Sequence, residues 1–177
     1  MVQHELNYRV TLINCNGKEL QAAKYLQIFA GMEELDARKI VSVLPRVLFD
    51  SLDGEACSYI EDAFDFYGIK YSLEQVDETY DIPDYPSAQV IALGSMVDYF
   101  GQRTEYSNIG RKYGFKVRGS LNDTPFLVKD GLTEQQAESL KMELRNMGMS
   151  AQVMRSSSKV QGVKRMGLLE SIFSKKF

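Results

Sequence analysis

The sequence predicts an α+β protein: two tandem small modules, each with helices packed on one face of a short sheet, followed by an amphipathic C-terminal tail. Two observations carry this. The residue pattern repeats at a spacing of 80, and within each copy stretches of period two alternate with stretches of helical period. At that spacing Val10 falls on Val90, Pro45 on Pro125, Asp50 on Asp130, Leu52 on Leu132, Ile60 on Leu140, Phe64 on Leu144 and Gly68 on Gly148, without a gap. A chain of 177 residues has room for two units of this size.

Residues 8–13, YRVTLI, alternate as a half-buried strand does, and Asn16-Gly17 marks the turn that follows. From residue 18 to 30, Leu20, Ala23, Tyr25, Leu26 and Phe29 recur at helical spacing, with Gly31 placed to cap the helix. A second helix reads from about Glu33 through Leu35, Ile40, Val41 and Leu44 to Pro45, where proline ends or kinks it. Residues 46–52 are apolar and too short to assign. Asp53 is a suitable N-cap for a third helix with Ala56, Cys57, Ile60, Ala63, Phe64 and Tyr67 on its apolar face. Gly68 closes it, and residues 69–76 read as a final strand, so the order read directly is β-α-α-α-β.

Residues 76–87, VDETYDIPDYPS, are acidic and hold two prolines, the composition of a linker. They lack the EF-hand ligand pattern, so no calcium site is expected. In the second copy AQVIAL replaces YRVTLI, and LTEQQAESLKMELRNMG replaces LDGEACSYIEDAFDFYG, its start strengthened by a Thr133/Gln136 capping box. Residues 97–119 carry four glycines and read as something more broken than two clean helices. The expected boundaries are 1–76 for the first module, 77–86 for the linker, 87–155 for the second module and 156–177 for the tail.

The residue inventory points away from an enzyme. His4, near the N-terminus, is the single histidine, which excludes Ser/His/Asp and Cys/His constellations inside the fold. Cys15 and Cys57 are too few for a disulfide framework or a zinc site, so no cofactor or metal is expected. The N-terminus lacks a signal-peptide pattern, and no apolar run approaches a membrane span. A cytoplasmic setting is the expectation. The net charge of −3 hides a split: residues 1–90 hold 7 basic and 16 acidic residues, residues 91–177 hold 14 and 8. Such polarity implies different partners for the two halves, or each for the other.

Three segments, GMEELDARKIVSVLP, DSLDGEACSYIEDAFDFYG and PFLVKDGLTEQQAESLKMELRNMG, carry a family likeness. Over residues 6–76 and 86–154 the unit resembles the C-terminal domain of the acidic stalk protein of the bacterial large ribosomal subunit. The resemblance implies a compact βααβαβ fold that serves as a docking platform for translation factors. It implies a binding surface on the two helices around a glycine turn: Lys24, Gly31, Arg38 and Lys39 in the first copy, and Arg111, Lys112, Lys116 and Arg118 in the second. More distantly, YRVTLINCN is similar to the opening strand and turn of the Clp protease adaptor fold, which would set Asn14 at a peptide pocket.

Read by itself, RKYGFKVRG interleaves basic residues with Tyr113 and Phe115. Protein docking, RNA contact by phosphate pairing and base stacking, and ordinary packing all fit it. Cys57, on an apolar helix face, reads as buried packing. Met142, Met147, Met149 and Met154 read as filling of the second core, against an adaptable binding surface. The polar stretch SSSKVQGVKR reads as a tether, and MGLLESIFSKKF then sets Leu168, Leu169, Ile172 and Phe173 on one helical face. From Arg155 onward there are six Lys and Arg against one Glu. Such a segment suits a groove on a partner, an acidic membrane surface or its own domain. The expected function is a non-catalytic protein–protein adaptor or assembly protein docking through the basic second module and the tail. A nucleic-acid- or ribosome-associated protein is the alternative, and a structural component of a large assembly such as a virus particle is a further one.

Overall fold

The computed structural model describes residues 4–81, 87–95, 99–116, 121 and 123–156. They divide into two compact units, each mixed α and β with helices packed against a three-stranded antiparallel sheet.

In the first unit β1 (His4–Asn14) leads through the Asn16-Gly17 turn into α1 (Glu19–Ala30). Gly31 closes that helix in the left-handed conformation, its N–H donating to the Gln27 carbonyl. α2 (Glu34–Ser42) ends before Pro45. The unassigned residues 46–52 form β2 (Arg46–Asp53), the sheet edge that the directly read order lacked. Asp53 caps α3 (Gly54–Tyr67) by accepting from the Ala56 N–H at 2.9 Å. β3 (Lys70–Asp81) follows, so residues 77–81, expected in the linker, instead lengthen this strand, and Asp81 pairs with His4. The strand order is β2-β1-β3. Tyr25, Phe29, Phe49 and Phe64 fill the core, with Tyr25 stacked on Phe29 and Phe49 edge-on to it, both at 5.8 Å.

The second unit runs β4 (Ser87–Ser95), α4 (Tyr99–Tyr113), β5 (Phe126–Leu132), α5 (Glu134–Asn146) and β6 (Met149–Ser156), in sheet order β5-β4-β6. Thr133 and Gln136 form the expected reciprocal capping box. Between β4 and β5 the described residues hold one helix, α4, of 15 residues, where the first unit has α1 and α2; Gly101 and Gly110 lie within it without breaking it. Met147 and Met149 lie in the second core as expected, Met154 is buried outside that cluster, and Met142 is exposed.

The two sheets share one register at the 80-residue spacing. Val10 faces Phe49 and Leu73, as Val90 faces Lys129 and Val153; Thr11 faces Val47 and Ser72, as Ile91 faces Leu127 and Gln152. Even the irregularities coincide, one beside Val10 and Val90, another between Leu12 and Asn14 and between Ala92 and Gly94.

The sheet faces turned away from the helices differ. Ala88, Val90 and Ala92 lie in the helix-covered core, so alternation puts Gln89, Ile91 and Leu93 on the other side. In the first sheet that side holds Arg9, ion-paired to Glu74 at 3.2 Å and Asp50 at 3.7 Å, together with Thr11 and Ser72. In the second the equivalent positions are Gln89, Met154, Ile91 and Gln152, and Ile91 and Met154 are fully buried. Ile91→Asp should therefore cost about 3–5 kcal/mol, the penalty for an unpaired buried charge, while the equivalent Thr11→Asp stays within about 1 kcal/mol. Urea unfolding of both variants checks this, and equal costs would refute the assignment of faces.

Candidate functional site

The site is built where α4 ends. Its last turn presents Arg111, Lys112 and Tyr113, and the chain then reverses at Gly114, whose φ of +76° suits glycine. The Gly114 and Phe115 N–H groups both donate to the Gly110 carbonyl, at 2.8 and 2.9 Å. That reversal lays the Phe115 ring against Tyr106, centroids 5.4 Å apart, at the margin of the second core. Gly110 makes room for it, since a Cβ there would meet the Phe115 carbonyl oxygen at 2.9 Å.

Glu143 of α5 gathers the end of α4. Its carboxylate accepts from Lys112 Nζ and, at 2.8 Å, from the Tyr113 hydroxyl, while Lys112 lies 5.5 Å from the Tyr113 ring centroid. The Lys112 hydrogen bond, with that from Tyr113, holds the Glu143 carboxyl below its ordinary value of 4.5 despite partial burial. Burial first, then the bond to Glu143, pushes the Tyr113 phenol up to about 12. Lys129 Nζ reaches the Gly114 carbonyl at 3.5 Å. Arg111 and Lys116 are exposed on either side of this clasp.

Of the residues expected at a docking surface, the structure therefore brings Lys112 and Tyr113 together on Glu143 and sets Arg111, Phe115 and Lys116 around them. Tyr113 and Phe115 pack against the core, which favours the packing reading of their rings over base stacking. Arg118, Leu168, Leu169, Ile172 and Phe173 lie outside the described residues. In the first unit Lys24 is half-buried in α1, Arg38 is exposed and paired with Glu34 at 2.6 Å, and Lys39 is exposed in the last turn of α2. Asn14 uses its side-chain oxygen to accept the Asn16 N–H at 2.8 Å, closing a turn, and Asn16 in turn holds the Gly68 carbonyl at 2.8 Å.

Glu143 was missed by reading the sequence alone, although the repeat held part of its signal. Counted from the Asp53 and Thr133 caps, Glu143 stands where α3 has buried Ala63. Lys112 cannot be read that way, because α4 runs three residues further than α1 and ends at left-handed Gly114 where α1 ends at Gly31.

Among the described residues no group of histidine, cysteine or carboxylate side chains could hold a metal ion, and no helix is long and apolar enough to cross a membrane. Cys15 and Cys57 are buried free thiols, pushed up by that burial to about 11 and about 12, so neither is a ready nucleophile. No family model, no curated protein and no solved structure matches the chain.

Two variants check the site. Gly110→Ala should destabilise the protein by about 1–3 kcal/mol in urea unfolding, because the clash with Phe115 backbone outweighs the gain of about 1 kcal/mol in helix propensity. Glu143→Gln should cost under about 1 kcal/mol at neutral pH, as expected for a largely solvated ion pair. A carboxyl held below its ordinary value stabilises fully above that value and loses the contribution as pH falls through its folded one. The gap between wild type and Glu143→Gln should accordingly close in acid, below the ordinary glutamate range near 4.5.

Proposed function

We propose that this chain is a non-catalytic adaptor or assembly protein, made of two stalk-protein-like modules, that holds a protein partner at the α4 end of its second module. One observation carries the reading: the two sheets share a register, yet the last turn of α4 carries Arg111 and Lys112 where the last turn of α1 carries no basic residue. Lys116 adds a third exposed cation just after the Gly114 turn, whereas Gly31 is followed by Met32, Glu33 and Glu34. The fold does not require those cations, because the first module builds the same sheet without them. Cations exposed beside a rigid helix end attract an acidic surface and fix its orientation. The inward-turned rings of Tyr113 and Phe115 support a protein partner over single-stranded nucleic acid, which gains affinity by stacking on exposed rings.

The test is affinity capture from cells with cross-linking and mass spectrometry, comparing wild type with the Arg111→Glu, Lys116→Glu double variant. The reading expects cross-links from Lys112 and Lys116 to one recurring protein, and at least about tenfold weaker recovery by the double variant. Equal recovery by both would refute docking at this surface. Recovery of nucleic acid that falls steeply with salt would favour the nucleic-acid reading instead.

A further inference from the structure

The Lys112–Glu143 pair does more than join α4 to α5. The pair is open to solvent, with the Lys112 side chain 62% and the Glu143 side chain 30% exposed. Ion pairs so placed contribute little to stability. Their effect on an incoming anion is larger, because a lysine that already holds a carboxylate must release it before it can hold another.

We propose that Glu143 is a built-in competitor for the docking surface: its carboxylate occupies Lys112, and an acidic partner segment must displace it to engage that cation. This rests on the docking reading above. Tyr113 makes the exchange graded, since its hydroxyl keeps Glu143 in place at 2.8 Å after Lys112 has turned outward. Arg111 and Lys116 are exposed and provide first contact, and Lys112 joins as Glu143 yields it. The device lowers affinity for weakly acidic surfaces and reserves the site for segments whose carboxylates outbid the internal one.

The full-length protein is titrated with a short synthetic peptide rich in glutamate and aspartate, followed by backbone and lysine side-chain NMR. Wild type, Glu143→Gln, Lys112→Gln and the double variant form a cycle. Glutamine keeps an acceptor for Tyr113 but gives up the charge. Glu143→Gln should bind the peptide about two- to fivefold more tightly, with new shifts at the Lys112 ammonium. In the Lys112→Gln background the same change should alter affinity little. Equal tightening in both backgrounds would mean that Glu143 acts only through the general field, which overturns the competition. Unchanged affinity in Glu143→Gln, with shifts still centred on Arg111 and Lys116, overturns it too while leaving the docking surface standing. Absence of binding to all four proteins overturns both.

Discussion

Each module hangs on its first strand. β1 and β4 are central, hydrogen-bonded on both sides, yet both of their partners come later in the chain. The chain must therefore leave the central strand, cross the sheet with helices, and return twice in the correct register. A slip of one residue would turn Val10 and Leu12 out of the core. The paired irregularities beside Val10 and Val90, and again before Asn14 and Gly94, pin that register in both units. Caps then time the returns. Asp53 and Thr133 sit 80 apart and start α3 and α5 at the same point after the edge strand.

That geometry explains what could be read from the sequence. Strand alternation, helical spacing and caps are local, so β1, α1, α3 and α5 were legible from Tyr8, Tyr25, Asp53 and Thr133 with their neighbours. β2 was not, because RVLFDSL combines buried Leu48, Phe49 and Leu52 with the register irregularity that breaks strict alternation. The end of β3 was misread for a different reason. Acidic residues 77–81 have a linker's composition, but pairing with the start of β1 holds the backbone extended whatever the side chains. In α4, Gly101 and Gly110 suggested a break. At Gly110 the glycine instead admits the Phe115 backbone, a tertiary contact that propensity does not encode.

The site was legible in part. Arg111, Lys112 and Lys116 stood out by charge and by their spacing around Tyr113 and Phe115, but the partner of Lys112 lies 31 residues away on another helix. Comparison of the two copies shows only the other half of the pair, Glu143 in place of buried Ala63. The same comparison separates the sheet faces, where Arg9, Thr11 and Glu74 become Gln89, Ile91 and Met154.

A duplicated fold separates what structure demands from what it tolerates. Positions alike in both copies, such as Val10 and Val90 or Gly68 and Gly148, are those that the register and the turns need. Positions that differ while the register stays fixed are free of that demand, and a reason for them must be sought elsewhere. At the sheet face the reason is burial, since Ile91 and Met154 are inaccessible to solvent. α4 runs three residues further than α1 and carries Arg111 and Lys112 in its last turn, where α1 carries no basic residue. Exposed cations and their ion pair with Glu143 add little stability, so burial is not the reason there.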